Sequence, residues 1–409
     1  MSRWQAWITI PLSIGILSAA DWPQFRGPNR DATSKETGLL HAWPAKGPKV
    51  LWTVPVAQGY AGAAIVAGRV YHHDYNEKTN EWMVIARNLS DGKEIWRFKE
   101  ARLIRPNHAI TRTVPAVDAR AVYSLDPKCV LHSFDAKTGK EKWRKDLVAE
   151  YKAKIPSWYN GQNPLMDGER LIIATGGDAI LVAFDKATGK EIWRTKNPDQ
   201  LQMTHASVMP ATIGGVKQYL YITLSGPLSV SAQDGKVLWQ HARKFNVSVA
   251  PSPLAVDGDR VFNTGSYDAG SIMLKVVANK PQPTFDMVQN EWNSEVHTPV
   301  VYKGHMFAVG KKKRGLFTCL TLDGKEVWSS DGKASFDLGS YMLADGMFFV
   351  MEGKTGVLRL LEANTTGYKE LASAPVLTGP EVWAPMALSD GKLVLRDLTK
   401  MICLDVRGK

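Results

Sequence analysis

Cysteine is scarce in this chain, with three residues in 409, at positions 129, 319 and 403. Thiols so few and so far apart exclude a disulfide framework and a cysteine-rich zinc cluster. Long apolar runs are missing after the first twenty residues, and a spanning helix takes roughly 20 apolar residues. There is no His-Glu-x-x-His, Gly-x-Ser-x-Gly, Walker loop or Gly-x-Gly-x-x-Gly, so the commonest protease, hydrolase, NTPase and dinucleotide signatures are absent. A heptad or 3.6-residue apolar period is also lacking, which argues against helical repeats. Charged residues make up only 22% and hydrophobic residues 44%, a balance that excludes a disordered chain.

What is abundant is glycine (34), proline (22) and, unusually, tryptophan: 14 against 12 Phe and 12 Tyr. Turn residues spread along the whole length favour an all-β protein. Residues 1–20 read as a secretory signal. Arg3 supplies the positive start, an apolar stretch runs from Trp7 to Leu17, and Ser18-Ala19-Ala20 offers small residues before a cut at Asp21. No Cys lies near that cut to carry a lipid. The expectation is a periplasmic or secreted protein with no membrane span. The formal net charge is +11, and its densest run is Lys311-Lys312-Lys313-Arg314. Export argues against nucleic acid as a partner, leaving a solvated hairpin tip or an anion-binding edge for that run.

A pattern of one small turn residue, polar residues and a short apolar run recurs along the chain. Its copies begin at Gly68, Ala119, Gly168, Gly215, Gly258, Gly304, Gly346 and Gly391. The intervals are 42 to 51 residues, so eight units fill residues 21–409 as one domain. A second pattern shares the period, with Trp four residues after Gly: Gly92/Trp96, Gly139/Trp143, Gly189/Trp193, Gly235/Trp239 and Gly324/Trp328. Asp-Gly and Thr-Gly at these points are hairpin turns, since Gly accepts positive φ and Asp caps the turn. Four short strands per unit predict an eight-bladed β-propeller of four-stranded blades. The repeated Trp falls on the outermost strand, where an indole can cover the neighbouring blade. The eighth unit lacks an outer strand, and Pro48 to Pro55, containing Trp52, predicts an N-terminal strand that closes the ring. Two units break the rule: Phe285 stands four residues after Pro281, and Leu371 four after Gly367, each in the Trp position. Such departures mark either function or drift.

The Phe-Asp-x-x-Thr-Gly-Lys-x-x-Trp turns resemble the tryptophan-docking motif of the pyrroloquinoline quinone (PQQ)-like propeller family. Asp21-Trp-Pro-Gln-Phe-Arg-Gly-Pro-Asn-Arg30 is similar to the N-terminal signature of exported members common in planctomycete-type bacteria. The resemblance covers residues 21–406 and implies eight blades. It also implies three kinds of function: quinoprotein dehydrogenase with PQQ and calcium, the BamB-type envelope assembly scaffold, or an exported binding propeller. The dehydrogenase type carries adjacent cysteines and a Glu/Asn/Asp calcium set with a catalytic Asp. Neither can be aligned here, so no catalytic residue or metal ligand is assigned. The scaffold type is lipid-anchored through a Cys that this chain lacks.

In such a ring the connections leading into the innermost strands form a funnel, the favoured place for a ligand. These connections supply Tyr60, His108 to Arg112, Trp158, Asn160, His205, Asn246, Glu295, His297, Asp337, Glu381 and Trp383. Trp158 and Trp383 stand out because neither occupies a docking position. The set suits a quinone, a sugar or a peptide. The expected function is a monomeric propeller binding an unknown small molecule or an envelope protein or peptide at the funnel, without chemistry. A PQQ-dependent alcohol or sugar dehydrogenase and a BamB-like scaffold are the alternatives. His72-His73, His108 and His297 lack metal-ligand spacing and read as surface or channel residues. The cysteines read as small core hydrophobes.

Overall fold

The computed structural model describes residues 21–408 except 106–107, 109, 246, 268, 278–283, 290–291 and 311–314. Residues 1–20, expected to be an export signal, Asn246 and the Lys311 to Arg314 run therefore lie outside the described residues. Within them the chain forms eight four-stranded antiparallel sheets arranged as blades, and a single short helix, Leu147–Tyr151. Blade 1 comprises Ala63–Val66, Arg69–Asn76, Glu81–Asn88 and Glu94–Ala101, designated strands A to D from the inside outward. Blades 2 to 7 follow the same order over 116–146, 165–196, 209–240, 254–289, 300–329 and 341–375. Blade 8 has Ala387–Ser389, Lys392–Arg396 and Lys400–Asp405 as strands A to C. Its strand D is Lys49–Pro55, which pairs antiparallel with Lys400–Asp405, so the N-terminal strand closes the ring as the sequence predicts.

Strands B and C lie between neighbouring blades and are buried on both faces, which is why they read as unbroken apolar runs such as Leu171-Ile-Ile-Ala174. Strand D alternates, with Trp96 buried and its neighbours Arg97 and Glu94 exposed. One bulge recurs where strands C and D pair, leaving the residue before the Trp unpaired, as at Ile95 between Glu94 and Trp96. The same shift occurs before Trp52, Trp143, Trp193, Trp239 and Trp328. An extra residue bends the strand and re-aims its side chains, here turning each indole onto the next blade. The Nε1–H of Trp52 donates to the Leu89 carbonyl at 2.8 Å, Trp96 to Ala136 at 3.1 Å and Trp143 to Lys186 at 3.2 Å. Trp239 donates instead to Gln218 Oε1 of its own blade at 3.0 Å, and its neighbour, blade 5, is the unit without the Gly-Trp turn.

The register corrects the two irregular units. In blade 7, Ala372 rather than Leu371 pairs opposite Leu360, because the C–D turn is one residue longer and Leu371 is the bulged residue. In blade 5 the backbone of Met287, not Phe285, holds the corresponding place opposite Met273.

The segment before the ring-closing strand threads the channel. Trp22 pairs with Ile65 of blade 1, the Pro23 carbonyl accepts from Val117 of blade 2, and Thr33 bridges Leu343 of blade 7. It then leaves beside blade 8, where Leu39 bridges Arg407. Gly27 allows the tight turn inside this plug: its φ is +82°, and an added Cβ would lie 2.9 Å from the Trp22 ring. Among the described residues no helix is long and apolar enough to cross a membrane.

Candidate functional site

The plug carries two buried arginines whose acceptors are mainly backbone carbonyls around the channel. Arg26 donates from Nη1 to the Thr298 carbonyl at 2.6 Å and from Nη2 to that of Pro299 at 2.8 Å, both in blade 6. Arg30 donates from Nη1 to the Pro164 carbonyl at 2.8 Å and from Nη2 to that of Asn163 at 3.3 Å, in blade 3. Each guanidinium satisfies carbonyls at the start of an inner strand, where no sheet partner is available. Burial pushes the Arg30 pKa down to about 9, with Arg26 adding like-charge repulsion. Phe25, whose ring centre lies 5.6 Å from the Arg30 guanidinium, forms part of the cavity wall.

Above the plug opens a funnel cavity of about 320 Å³, to which the D-to-A connections of all eight blades contribute. Of the residues singled out from sequence, Tyr60, His108, Arg112, Trp158, His205, Glu295, His297 and Trp383 line it. Asn160 does not. It is buried behind the wall, its side chain donating to the Gln162 carbonyl at 3.3 Å. Asn246 lies outside the described residues. Phe25 and Tyr267 also line the cavity and escaped the sequence reading. Phe25 belongs to no repeat, and Tyr267 sits in the B–C loop of blade 5, one of the two irregular units.

Two aromatic pairs flank Arg112. Tyr60 and Trp383 stack at 5.0 Å with planes 19° apart. Trp158 and Tyr267 stand 6.3 Å apart and 12° from parallel. The Arg112 guanidinium lies 5.7 Å from the centre of the Tyr60 ring, and its Nη1 donates to the carbonyls of Ile110 and Trp158. Tyr60 donates its hydroxyl to Glu381 Oε2 at 2.6 Å, which fixes the ring that Arg112 faces. The backbone beneath these side chains is unusual: Trp158, Tyr159, Tyr267, Asp337 and Glu381 have φ of 62°, 68°, 54°, 51° and 62°. Left-handed conformations are costly for bulky residues and gather at binding and active sites.

Electrostatically the wall holds one cation with no carboxylate partner among the described residues. Burial lowers the Arg112 pKa to about 10. Burial, reinforced by Arg112, lowers His205 to about 4. His297 is also held at about 4, by burial, against the pull of its hydrogen bond to the Leu338 carbonyl at 3.0 Å. Both imidazoles are therefore neutral at pH 7. His72 and His73 are not surface or channel residues, because strand B of blade 1 is enclosed on both sides. The Arg87 Nε–H meets His72 Nε2 at 3.2 Å, while Ser124 and Thr113 hydroxyls bind the two ring nitrogens of His73 at 3.0 and 2.8 Å.

The donor set for a calcium-bound quinone is not assembled here. Among the described residues no three His, Cys, Asp or Glu side chains gather closely enough to hold a metal ion. Cys129, Cys319 and Cys403 are buried in blades 2, 6 and 8, so no pair can form a disulfide beside the funnel. The carboxylates nearest the funnel, Glu295 and Glu381, come from different blades. The residues present do not fit that group.

Residues 80–330 match the family model described as outer membrane protein assembly factor BamB. No curated protein matches the sequence. Among solved structures, quinohemoprotein alcohol dehydrogenase ADHIIG from Pseudomonas putida HK5 is similar at a TM-score of 0.64 and 12% identity, over 96% of this chain and 81% of that one. BamB from Moraxella catarrhalis aligns at 0.61 and 12% identity, over 88% and 98%. The computationally designed Ika8 protein aligns at 0.58 and 11% identity, over 88% and 100%. At such identities these likenesses show the fold alone.

Proposed function

The chain belongs to the family described as outer membrane protein assembly factor BamB, whose model spans residues 80–330 of its 409, and from that premise we propose that it is an exported PQQ-like propeller holding a ring-bearing small ligand in its funnel, without chemistry of its own. The observation that carries this reading is the pair of aromatic stacks, Tyr60 with Trp383 and Trp158 with Tyr267, set on either side of Arg112 on left-handed backbone. Rings presented this way offer flat apolar faces at low entropic cost, and a few polar groups fix orientation. The export reading rests on residues 1–20, and N-terminal sequencing of protein from the cell envelope should begin at Asp21.

The test sets this reading against the quinoprotein one. Purified protein is mixed with PQQ and Ca²⁺, and absorbance and dye reduction are followed with alcohols and aldose sugars. Calorimetry with small cyclic ligands is run in parallel. Saturable binding of a cyclic ligand with no dye reduction supports the proposal. Saturable PQQ binding with turnover overturns it in favour of an alcohol or sugar dehydrogenase.

A scaffold for envelope proteins is the second reading, favoured by family membership and by the outer strand of each blade, which among the described residues has no partner on its outer side. Extended peptides add to such edges through main-chain hydrogen bonds. Crosslinking in envelope extract that traps one partner along an outer strand would favour it.

A further inference from the structure

We propose that the funnel ligand carries a carboxylate, which docks on the free edge of Arg112 while its ring lies against the neighbouring aromatic faces. This rests on the reading of the funnel as a ligand site. A guanidinium presents five N–H donors. In Arg112 only Nη1 has acceptors, the carbonyls of Ile110 and Trp158. Among the described residues nothing accepts from its Nε or Nη2, and no carboxylate pairs with it. Yet the residue lines the cavity and is largely withdrawn from bulk solvent. A charge so placed is costly without a counter-charge. The two unused donor groups form the planar fork that takes a carboxylate through two parallel hydrogen bonds.

The surroundings favour an anion at that point. The nearby imidazole of His205 is neutral and offers no competing charge. Beneath the floor, Arg26 and Arg30 spend their guanidinium donors mainly on carbonyls, with Asp31 the nearest acid to Arg26. The acid end of the ligand therefore points to Arg112, with its ring toward the Tyr60 and Trp158 side of the cavity. About 320 Å³ admits one six-membered ring with its substituents.

Two chemical sources share these features, an acidic sugar and an aromatic acid. Calorimetry on the whole protein would compare glucuronate with glucose, and 4-hydroxybenzoate with phenol. The acid of at least one pair should bind about tenfold tighter than its neutral twin, the ratio expected when one charge-assisted contact is added. Raising the ionic strength should shrink the ratio. Arg112→Gln should bring it near one, while Arg112→Lys restores part of it. Should Arg112→Gln fail to fold, the twin ratios and their salt dependence in the native protein still decide the matter. Equal binding of acid and neutral twins in both pairs overturns the anion assignment and leaves the funnel reading intact. Absence of binding by any cyclic probe overturns both.

Discussion

The indole of Trp52 packs against the backbone of Gly92, so closely that a methyl group on that glycine would lie 2.8 Å from Cδ2. Trp52 belongs to the strand that completes blade 8, and Gly92 to the C–D turn of blade 1. The contact is thus the clasp between the two ends of the ring. The same approach recurs between Trp96 and Gly139, Trp143 and Gly189, and Trp193 and Gly235.

Gly92→Ala should therefore cost more than a turn substitution alone. Gly92 has a φ of +71°, where an L-residue loses about 1–2 kcal/mol. Gly304 shares that φ but has nothing within 4 Å of its virtual Cβ. Urea denaturation should show Gly92→Ala losing a further ~1–3 kcal/mol from overpacking against the indole. Equal losses at the two sites would mean that the indole contact does not clamp the ring.

Deleting residues 21–56 should abolish cooperative unfolding, since both the plug and the outer strand of blade 8 go with it. A finer test separates them. Arg30→Met keeps the strand but leaves the Pro164 and Asn163 carbonyls without their donor. The expected cost is about 1–3 kcal/mol. Hydrogen exchange should rise at the inner strand of blade 3 and stay unchanged at Trp96 and Trp143. Uniform exchange across all blades would show that the plug is not what pins the inner ring.

Acid should destabilise the protein before its carboxylates titrate. His72 and His73 are buried and neutral in the fold, His73 with a pKa pushed down to about 3 by burial. Unfolding frees them to bind protons below the ordinary value near 6.5. Their contribution is complete above pH 6.5 and is lost as pH falls toward the folded values, by a few kcal/mol for His73. His205 and His297, each held at about 4, act in the same direction but more weakly. His132 runs the other way. Burial opposes its charge, but Asp126 and Glu141 outweigh that and raise its pKa. Its contribution is present below 6.5 and lost as pH rises through the folded value. The melting temperature should peak near neutrality and fall steeply between pH 6 and 4. A flat profile over that interval would contradict the neutral assignment.

Blade number, strand order and ring closure were legible because each depends on a local signal repeated many times. A hairpin turn and a docked Trp recur at one period, and Trp52 announced the closing strand by matching them. The plug was not legible. Arg26 and Arg30 bond carbonyls 272 and 134 residues away, and nothing local marks which carbonyls a guanidinium will find. His72 and His73 misled for a related reason: polarity suggested a surface, whereas Arg87, Ser124 and Thr113 satisfy them in the core. In the funnel, position was readable from the D-to-A connections. The pairing of Trp158 with Tyr267 was not, because one comes from blade 3 and the other from a B–C loop of blade 5.

The tryptophans of the ring and of the funnel should respond oppositely to removal. Trp96 is buried against the next blade, and Trp96→Gly should cost about 3–5 kcal/mol, as large aromatic truncations do. Trp158 is only partly buried and sits at φ 62° beside Tyr159 at 68°. Glycine adopts that conformation without the Cβ clash, although it gains freedom in the unfolded chain. These two effects nearly cancel, so Trp158→Gly should shift stability by no more than about 1 kcal/mol. Binding of a cyclic ligand should nonetheless disappear, because Tyr267 loses the indole stacked against it. A melting temperature that collapses in Trp158→Gly would mark this Trp as structural, like the five in the docking motifs. Preserved stability with lost binding would show that the strained backbone is kept for the ring it presents.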